Sequence, residues 1–310
     1  MLSTALAIAP VFVMILAGYA LRRGGFPSTE FWNLNDRLVY WVLMPALFFR
    51  QISTADLSGA PLGPFAAVLC GGFLAATAFG WAAGRRAGYE APLASTVMQA
   101  SGRFNTFVGL AIAEALFGVE GLALAVLGAA LLVPVVNVTV VTVMTLMLSD
   151  DRGRLPLTVL RDLARNPLIL SIALGTAANL SGLGGLPVID ETAALLGAAA
   201  LPVMLLSVGA NLKLRGLTAS AGPLALSALG KLAVFPAATV GLIAVFQPGL
   251  LPAQVALIYA ALPTGVAAYT LARAMGGDAP TMAAIITFQT LLSFFTIPLT
   301  LALGGWIVAP

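Results

Sequence analysis

Residues 91–117 read APLASTVMQASGRFNTFVGLAIAEALF. Both ends are apolar, and the run exceeds the ~20 residues that cross a hydrocarbon layer as a helix. Its centre holds what a membrane helix avoids: Ser101, Gly102, Arg103, Asn105, Thr106 and Gly109. Arg103 lies too deep in the run to snorkel easily, and a cation at that depth marks function by default. Its guanidinium can grip a carboxylate with two parallel hydrogen bonds. A second run, PAQVALIYAALPTGVAAYTLARAM (252–275), carries Pro263, Thr264 and Gly265 at its centre. Proline removes a helical N–H and clashes with the preceding turn, and glycine weakens the helix further. Both runs are therefore expected to break at mid-membrane. A break frees backbone groups that lipid cannot satisfy, so it belongs where they line a cavity. Half-helix N-termini there carry partial positive charge and favour anions. The plainer alternative is a kink that only serves helix packing; Arg103 weighs against it.

The rest of the chain fits this setting. Of 310 residues, 60% are hydrophobic and only 9% charged, with mean hydropathy +1.02. Soluble domains carry roughly 25% charged residues, so lipid is the outer solvent expected here. A net charge of +3 spread over short loops makes no basic face for nucleic acid. Histidine is absent and Cys70 is the single cysteine, which leaves no disulfide, metal or Ser-His machinery to expect and no cofactor. The chain is not expected to be an enzyme.

Apolar runs between charged or Gly/Pro punctuation predict an all-α integral membrane protein of ten spans, near 2–21, 33–51, 61–84, 91–117, 121–148, 167–184, 187–212, 223–246, 252–275 and 280–304. Residues 2–21 are read as a retained first span because Arg22 and Arg23 follow rather than precede it. The polar stretch 149–166 divides the chain into a first five-helix repeat (1–148), a cytoplasmic linker (149–166) and a second repeat (167–310). The odd connections hold eleven Arg/Lys residues, among them Arg22, Arg23, Arg85, Arg86, Arg152, Arg154, Arg161, Arg165, Lys213, Arg215 and Arg273, and the even ones only Arg50. Positive charge collects inside, so both termini are expected outside the inner (plasma) membrane. Five spans per half invert the second half relative to the first. Landmarks recur to match: Pro10 with Pro167 and Pro45 with Pro202 at a step of 157, Asn105 with Pro263 at 158, and Pro134 with Pro298 at 164.

Other buried polar residues read more plainly. Lys231 can snorkel from span 8 to the cytoplasmic side. Glu114, Asp36 and Arg37 read as interfacial. Tyr269, Gln289, Asn137, Asn211 and Gln99 read as interhelical hydrogen-bonding groups.

The segments LVYWVLMPALFF (38–49), FNTFVGLAI (104–112), RNPLILSIALG (165–175), LLGAAALPVMLLSVGANL (195–212) and ALPTGVAAYTLARAMGGD (261–278) resemble the auxin efflux carrier family in its bacterial branch, over nearly the whole chain. The resemblance implies two inverted five-helix repeats with spans 4 and 9 unwound and crossing, a mobile domain moving elevator-like against a scaffold, and a homodimer. It places Asn105 and Pro263 at the crossover beside a bound carboxylate. Bacterial members are linked to malonate, malate and similar acids. Arg103-Phe104 departs from the small residues usual at that place and favours a more anionic substrate.

The function expected is a secondary transporter of a small organic anion, such as malonate, malate or an auxin-like acid. The expected substrate-binding set is Arg103, Asn105, Thr106, Gly109, Pro263, Thr264 and Gly265. Charge compensation by H⁺, by Na⁺ or by the membrane potential alone stays open, as does the direction of transport. The alternatives are an anion channel, for which no filter motif is seen, and a carrier of a non-carboxylate solute.

Overall fold

The computed structural model describes residues 2–55, 62–148, 164–182, 186–213 and 221–308, with side chains to residue 304. The regular structure of the described residues is helical, with no strand among them. The helices are α1 (Leu2–Arg23), α2 (Thr29–Leu38), α3 (Met44–Ser53), α4 (Leu62–Arg86), α5 (Ala91–Gly102), α6 (Thr106–Leu148), α7 (Pro167–Leu180), α8 (Pro187–Ala210), α9 (Ala221–Leu229), α10 (Phe235–Phe246), α11 (Leu250–Ala261), α12 (Ala267–Met275) and α13 (Ala279–Val308). Among the described residues six stretches can cross a membrane by length and composition: Leu2–Arg23, Leu62–Arg86, Ala91–Leu148, Pro187–Ala210, Ala221–Phe246 and Ala279–Gly304. Pro167–Leu180 and Leu250–Ala261 are shorter apolar helices. Most of the linker 149–166, with Arg152, Arg154 and Arg161, and also Arg215, lie outside the described residues.

Prolines shape the helices locally. Between α2 and α3 the turn Val39–Leu43 widens, and the N–H of Met44 reaches back five residues to the Val39 carbonyl. Between α9 and α10 the turn Gly230–Val234 does the same, with Phe235 N–H on the Gly230 carbonyl. Pro45 and Pro236 follow immediately. Each lacks the N–H that a normal turn needs, and its ring crowds the carbonyl four residues back, which a wider turn relieves. In α6 the kink falls at Gly118, whose φ of 61° and ψ of −147° belong to a region open essentially to glycine alone.

Packing divides the helices into two sets. Helix α1 lies along α8, and α3 lies along α7 and α8. Helices α4, α5, α9, α10, α11 and α13 pack among themselves. The long α6 touches both sets. Small residues permit the closest approach: a Cβ on Gly18 would run into the Leu206 carbonyl oxygen, and one on Gly209 into that of Ile15. One continuous apolar core joins the sets, running from Ile8 and Ile15 through Phe48, Phe73 and Val108 to Leu262.

Ends are capped across these contacts. Arg22 at the end of α1 donates Nη1 to the carbonyl of Ala210 at the end of α8 (3.0 Å). Asn179 near the end of α7 donates Nδ2 to the carbonyls of Ile52, Ser53 and Ala55 at the end of α3 (3.1, 3.1 and 2.8 Å). Such donors satisfy the last carbonyls of a helix, which have no partner within it.

Candidate substrate site

Two helical interruptions meet. Helix α5 stops at Gly102, Arg103 is extended (φ −61°, ψ 148°), and α6 starts at Thr106. Helix α11 stops at Ala261, Leu262 is extended (φ −63°, ψ 147°), and α12 starts at Ala267. The unwound pieces touch: Asn105 N–H donates to the Pro263 carbonyl at 2.8 Å. A Cβ on Gly265 would lie 2.7 Å from the Phe104 carbonyl oxygen. No side chain fits at that crossing.

Freed backbone groups find partners from both sides. The Asn105 side-chain oxygen accepts from Phe107 and Val108 N–H (3.2 and 3.3 Å), which caps α6. The Thr264 hydroxyl donates to the Ala100 carbonyl (2.8 Å), and the Gln289 amide donates to the same oxygen (3.3 Å). Gln289 Oε1 accepts from Thr264 N–H (3.0 Å).

A cavity of about 130 Å³ opens beside this crossing. Arg103, Phe104, Asn105, Thr106 and Phe107 line it from the first interruption, and Gly265, Val266, Ala267 and Ala268 from the second. Tyr40, Val133, Val136, Asn137, Asn166 and Leu168 complete the wall. The first turns of α6 and α12 therefore both border one space; Phe107 and Val108 N–H are taken by Asn105 Oδ1, and Ala268 and Tyr269 N–H by the Gly265 and Val266 carbonyls, so what the turns present is the positive end of each helix dipole. Arg103 is 7% exposed. It donates Nη2 to Asn137 Oδ1 at 2.7 Å, and its Nε has no partner among the described residues. Among the described residues no acidic side chain lines the cavity.

Of the residues singled out in the sequence, Arg103, Asn105, Thr106 and Gly265 line this cavity. Pro263 lies at the crossing and contributes its carbonyl to Asn105. Thr264 is fully buried with its hydroxyl turned to Ala100 and Gln289. Gly109 packs against Leu262, whose Cδ1 would lie 2.7 Å from an added Cβ. Sequence reasoning did not bring in Tyr40 or Asn166, whose positions beside Arg103 come from separate helices. Asn137 and Gln289 do bond between helices. Asn211 does too, donating to Asp36 Oδ2 at 2.9 Å. The Gln99 amide, fully buried, has no partner among the described residues. Lys231 does not snorkel: its side chain is fully enclosed and Nζ faces the Tyr259 carbonyl.

Several lipid-length apolar helices, with no strand among the described residues, and a largely apolar cavity that holds a few polar groups between interrupted helices have the build of a membrane transport protein. The chain belongs to the membrane transport protein family, that of the auxin efflux carriers, whose pattern matches residues 4–157 and 153–301. It is 27% identical over 296 residues to an "Uncharacterized transporter" of Methanothermobacter thermautotrophicus (strain Delta H), an alignment covering 93% of this chain and 94% of that protein.

Proposed function

We propose that the protein is a secondary carrier that moves a small organic anion across the inner membrane by alternating access. The observation that carries this reading is the cavity at the crossing. Two half-helix N-termini and the buried Arg103 converge there, and no carboxylate offsets them. Such an arrangement favours a negative ligand and leaves Arg103 Nε free to complete a forked contact with a carboxylate.

The same reading takes the helices as ten spans in two inverted repeats: α1, α2–α3, α4, α5–α6 to Phe117, and α6 from Gly121, then α7, α8, α9–α10, α11–α12 and α13. Two contacts support the inversion. Arg22 caps Ala210, and Asn179 caps Ser53; adding 157 to 22 and to 53 gives 179 and 210. Gly18 approaches the Leu206 carbonyl, and Gly175 approaches that of Phe49 (2.9 Å to an added Cβ); the same step relates these pairs. The helix sets suggest the moving parts, with α1–α3, α7 and α8 as scaffold and α4, α5 and α9–α13 as the element that carries the crossing. A homodimer and termini on the outer side belong to the same proposal.

The test is thermal unfolding of the purified protein with malonate, malate and indole-3-acetate, repeated with Asn105→Ala. A ligand stabilises by RT ln(1 + [L]/Kd). A rise with one acid that vanishes in the variant supports an organic anion held at the crossing. A well-folded protein that no acid stabilises removes carboxylates from consideration.

A further inference from the structure

Lys231 is, with Arg103, one of two enclosed cations among the described residues, and it does not line the cavity. Its side chain has no exposed surface and rises from the wide turn Gly230–Val234. Nζ donates to the Tyr259 carbonyl at 3.3 Å and lies 4.0 Å from the ring centre of Phe235 and 5.8 Å from that of Phe104. Phe104 thus separates Lys231 from the cavity it also lines.

The titratable groups on the helices packed against this turn are few. Helix α4 offers Cys70 and, at its end, Arg85 and Arg86; α5 leads into Arg103; α11 offers Tyr259; α9, α10 and α13 offer none. No acid stands on any of them. The acceptor is instead a backbone oxygen with a specific origin. In an unbroken helix the N–H of residue 263 would take the Tyr259 carbonyl. Proline has no N–H, and the chain leaves helical conformation at Leu262. Tyr259 O is one of the orphaned carbonyls at the negative end of α11. Enclosure disfavours the ammonium, and an orphaned carbonyl, two aromatic faces and a helix C-terminus are the groups that offset that cost.

The interruption in the first half is served differently. There the Ala100 carbonyl takes neutral donors, the Thr264 hydroxyl and the Gln289 amide. The step of 158 that relates Asn105 to Pro263 carries Lys231 onto Phe73. Fixed charge behind the crossing is present on one side only.

We propose that Lys231 is a tethered cation, occupying the place at the α11 interruption where a free alkali cation would otherwise sit, so that the protein needs no Na⁺. Carbonyls of unwound segments and C-terminal ends of half-helices are the groups that coordinate coupling cations in broken-helix transporters. Here that position is filled covalently. Independence of transport from Na⁺ rests on the carrier reading above; occupancy of the cation position does not.

The experiment is thermal unfolding of the purified protein at equal ionic strength in choline chloride, sodium chloride and methylammonium chloride, for the wild type and Lys231→Ala. The wild type is expected to unfold at one temperature in all three salts. Lys231→Ala is expected to unfold earlier in choline and to be shifted back toward the wild type by methylammonium, which fills the vacated ammonium position. Na⁺-selective stabilisation of the wild type overturns the proposal. So does a Lys231→Ala protein as stable as the wild type, or one whose loss methylammonium does not recover. If Lys231→Ala yields no folded protein, Lys231→Arg and Lys231→Met are compared. The charge-keeping variant is expected to be the more stable, and the reverse order overturns the proposal. Failure of every acid to stabilise the wild type removes carboxylates as the cargo and leaves these salt comparisons intact.

Discussion

The N–H of Asn105 donates to the carbonyl of Pro263 across 2.8 Å, so the two unwound segments are joined backbone to backbone at the crossing. That bond uses a donor from the first half of the chain and an acceptor from the second. Asn105 does two further things there. Its side-chain oxygen caps α6, and it lines the cavity. Replacing it by alanine removes the cap, a loss of about 1 kcal/mol of stability, and should also abolish stabilisation by the acid. Asn105→Asp keeps a capping oxygen but sets a negative charge beside Arg103. It is expected to unfold near the wild-type temperature and yet respond to no acid. An Asn105→Asp protein that still gains stability from malonate would show that the anion sits elsewhere.

Arg103→Ala should leave the protein folded and remove the acid-dependent rise in unfolding temperature. The side chain donates to one described partner, Asn137, so its removal leaves only that acceptor unanswered, a loss of about 1–3 kcal/mol. Full acid-dependent stabilisation in Arg103→Ala, read by the same thermal shift, would remove the guanidinium from the site.

Gly265→Ala tests the closeness of the crossing. The added methyl would meet the Phe104 carbonyl at 2.7 Å and Asn105 Cα at 3.2 Å, backbone atoms that cannot swing aside. A loss of about 1–3 kcal/mol is expected from such overpacking, together with weaker acid binding because the cavity wall moves. Gly241→Ala is the control: an added Cβ meets nothing within 4 Å, and alanine is the better helix former by about 1 kcal/mol. Chemical denaturation of both variants gives the comparison.

Gly18→Ala and Gly175→Ala test the repeat. Each places a methyl against a carbonyl of the facing helix, Gly18 overlapping the Leu206 oxygen and Gly175 reaching the Phe49 oxygen at 2.9 Å. Both should lower the unfolding temperature, Gly18→Ala more severely because its contact is the closer. If Gly175→Ala is neutral while Gly18→Ala unfolds the protein, the two contacts are not equivalent elements of one repeated design.

Much of the helical layout was legible in the sequence because lipid permits few patterns. Long apolar runs ended by Arg22-Arg23 and Arg85-Arg86 announce helices whose observed ends are those same residues. The interruption at Arg103–Asn105 was legible because SGRFN sets glycine, a cation and an amide inside an apolar run. What could not be read is where side chains turn once helices are packed. Thr264 looked like a ligand residue by position, but its hydroxyl is held by Ala100 and Gln289, groups distant in the chain. Lys231 sits within reach of a helix end by residue count, which suggested snorkelling. Its true partner is a carbonyl orphaned by a proline in another helix, 28 residues away. Tyr40 gave no signal, since nothing local distinguishes a cavity-lining tyrosine from one facing lipid.

The kink at Gly118 joins two helical arms with no loop between them. The arm Thr106–Phe117 begins in the cavity wall, and the arm beyond Gly118 continues to Leu148. Val133, Val136 and Asn137 of the second arm line the cavity as well, so the two arms are two walls of one site and Gly118 is the joint between them. A spin label on exposed Leu146, beyond those lining residues, therefore reports a change of angle between the two walls.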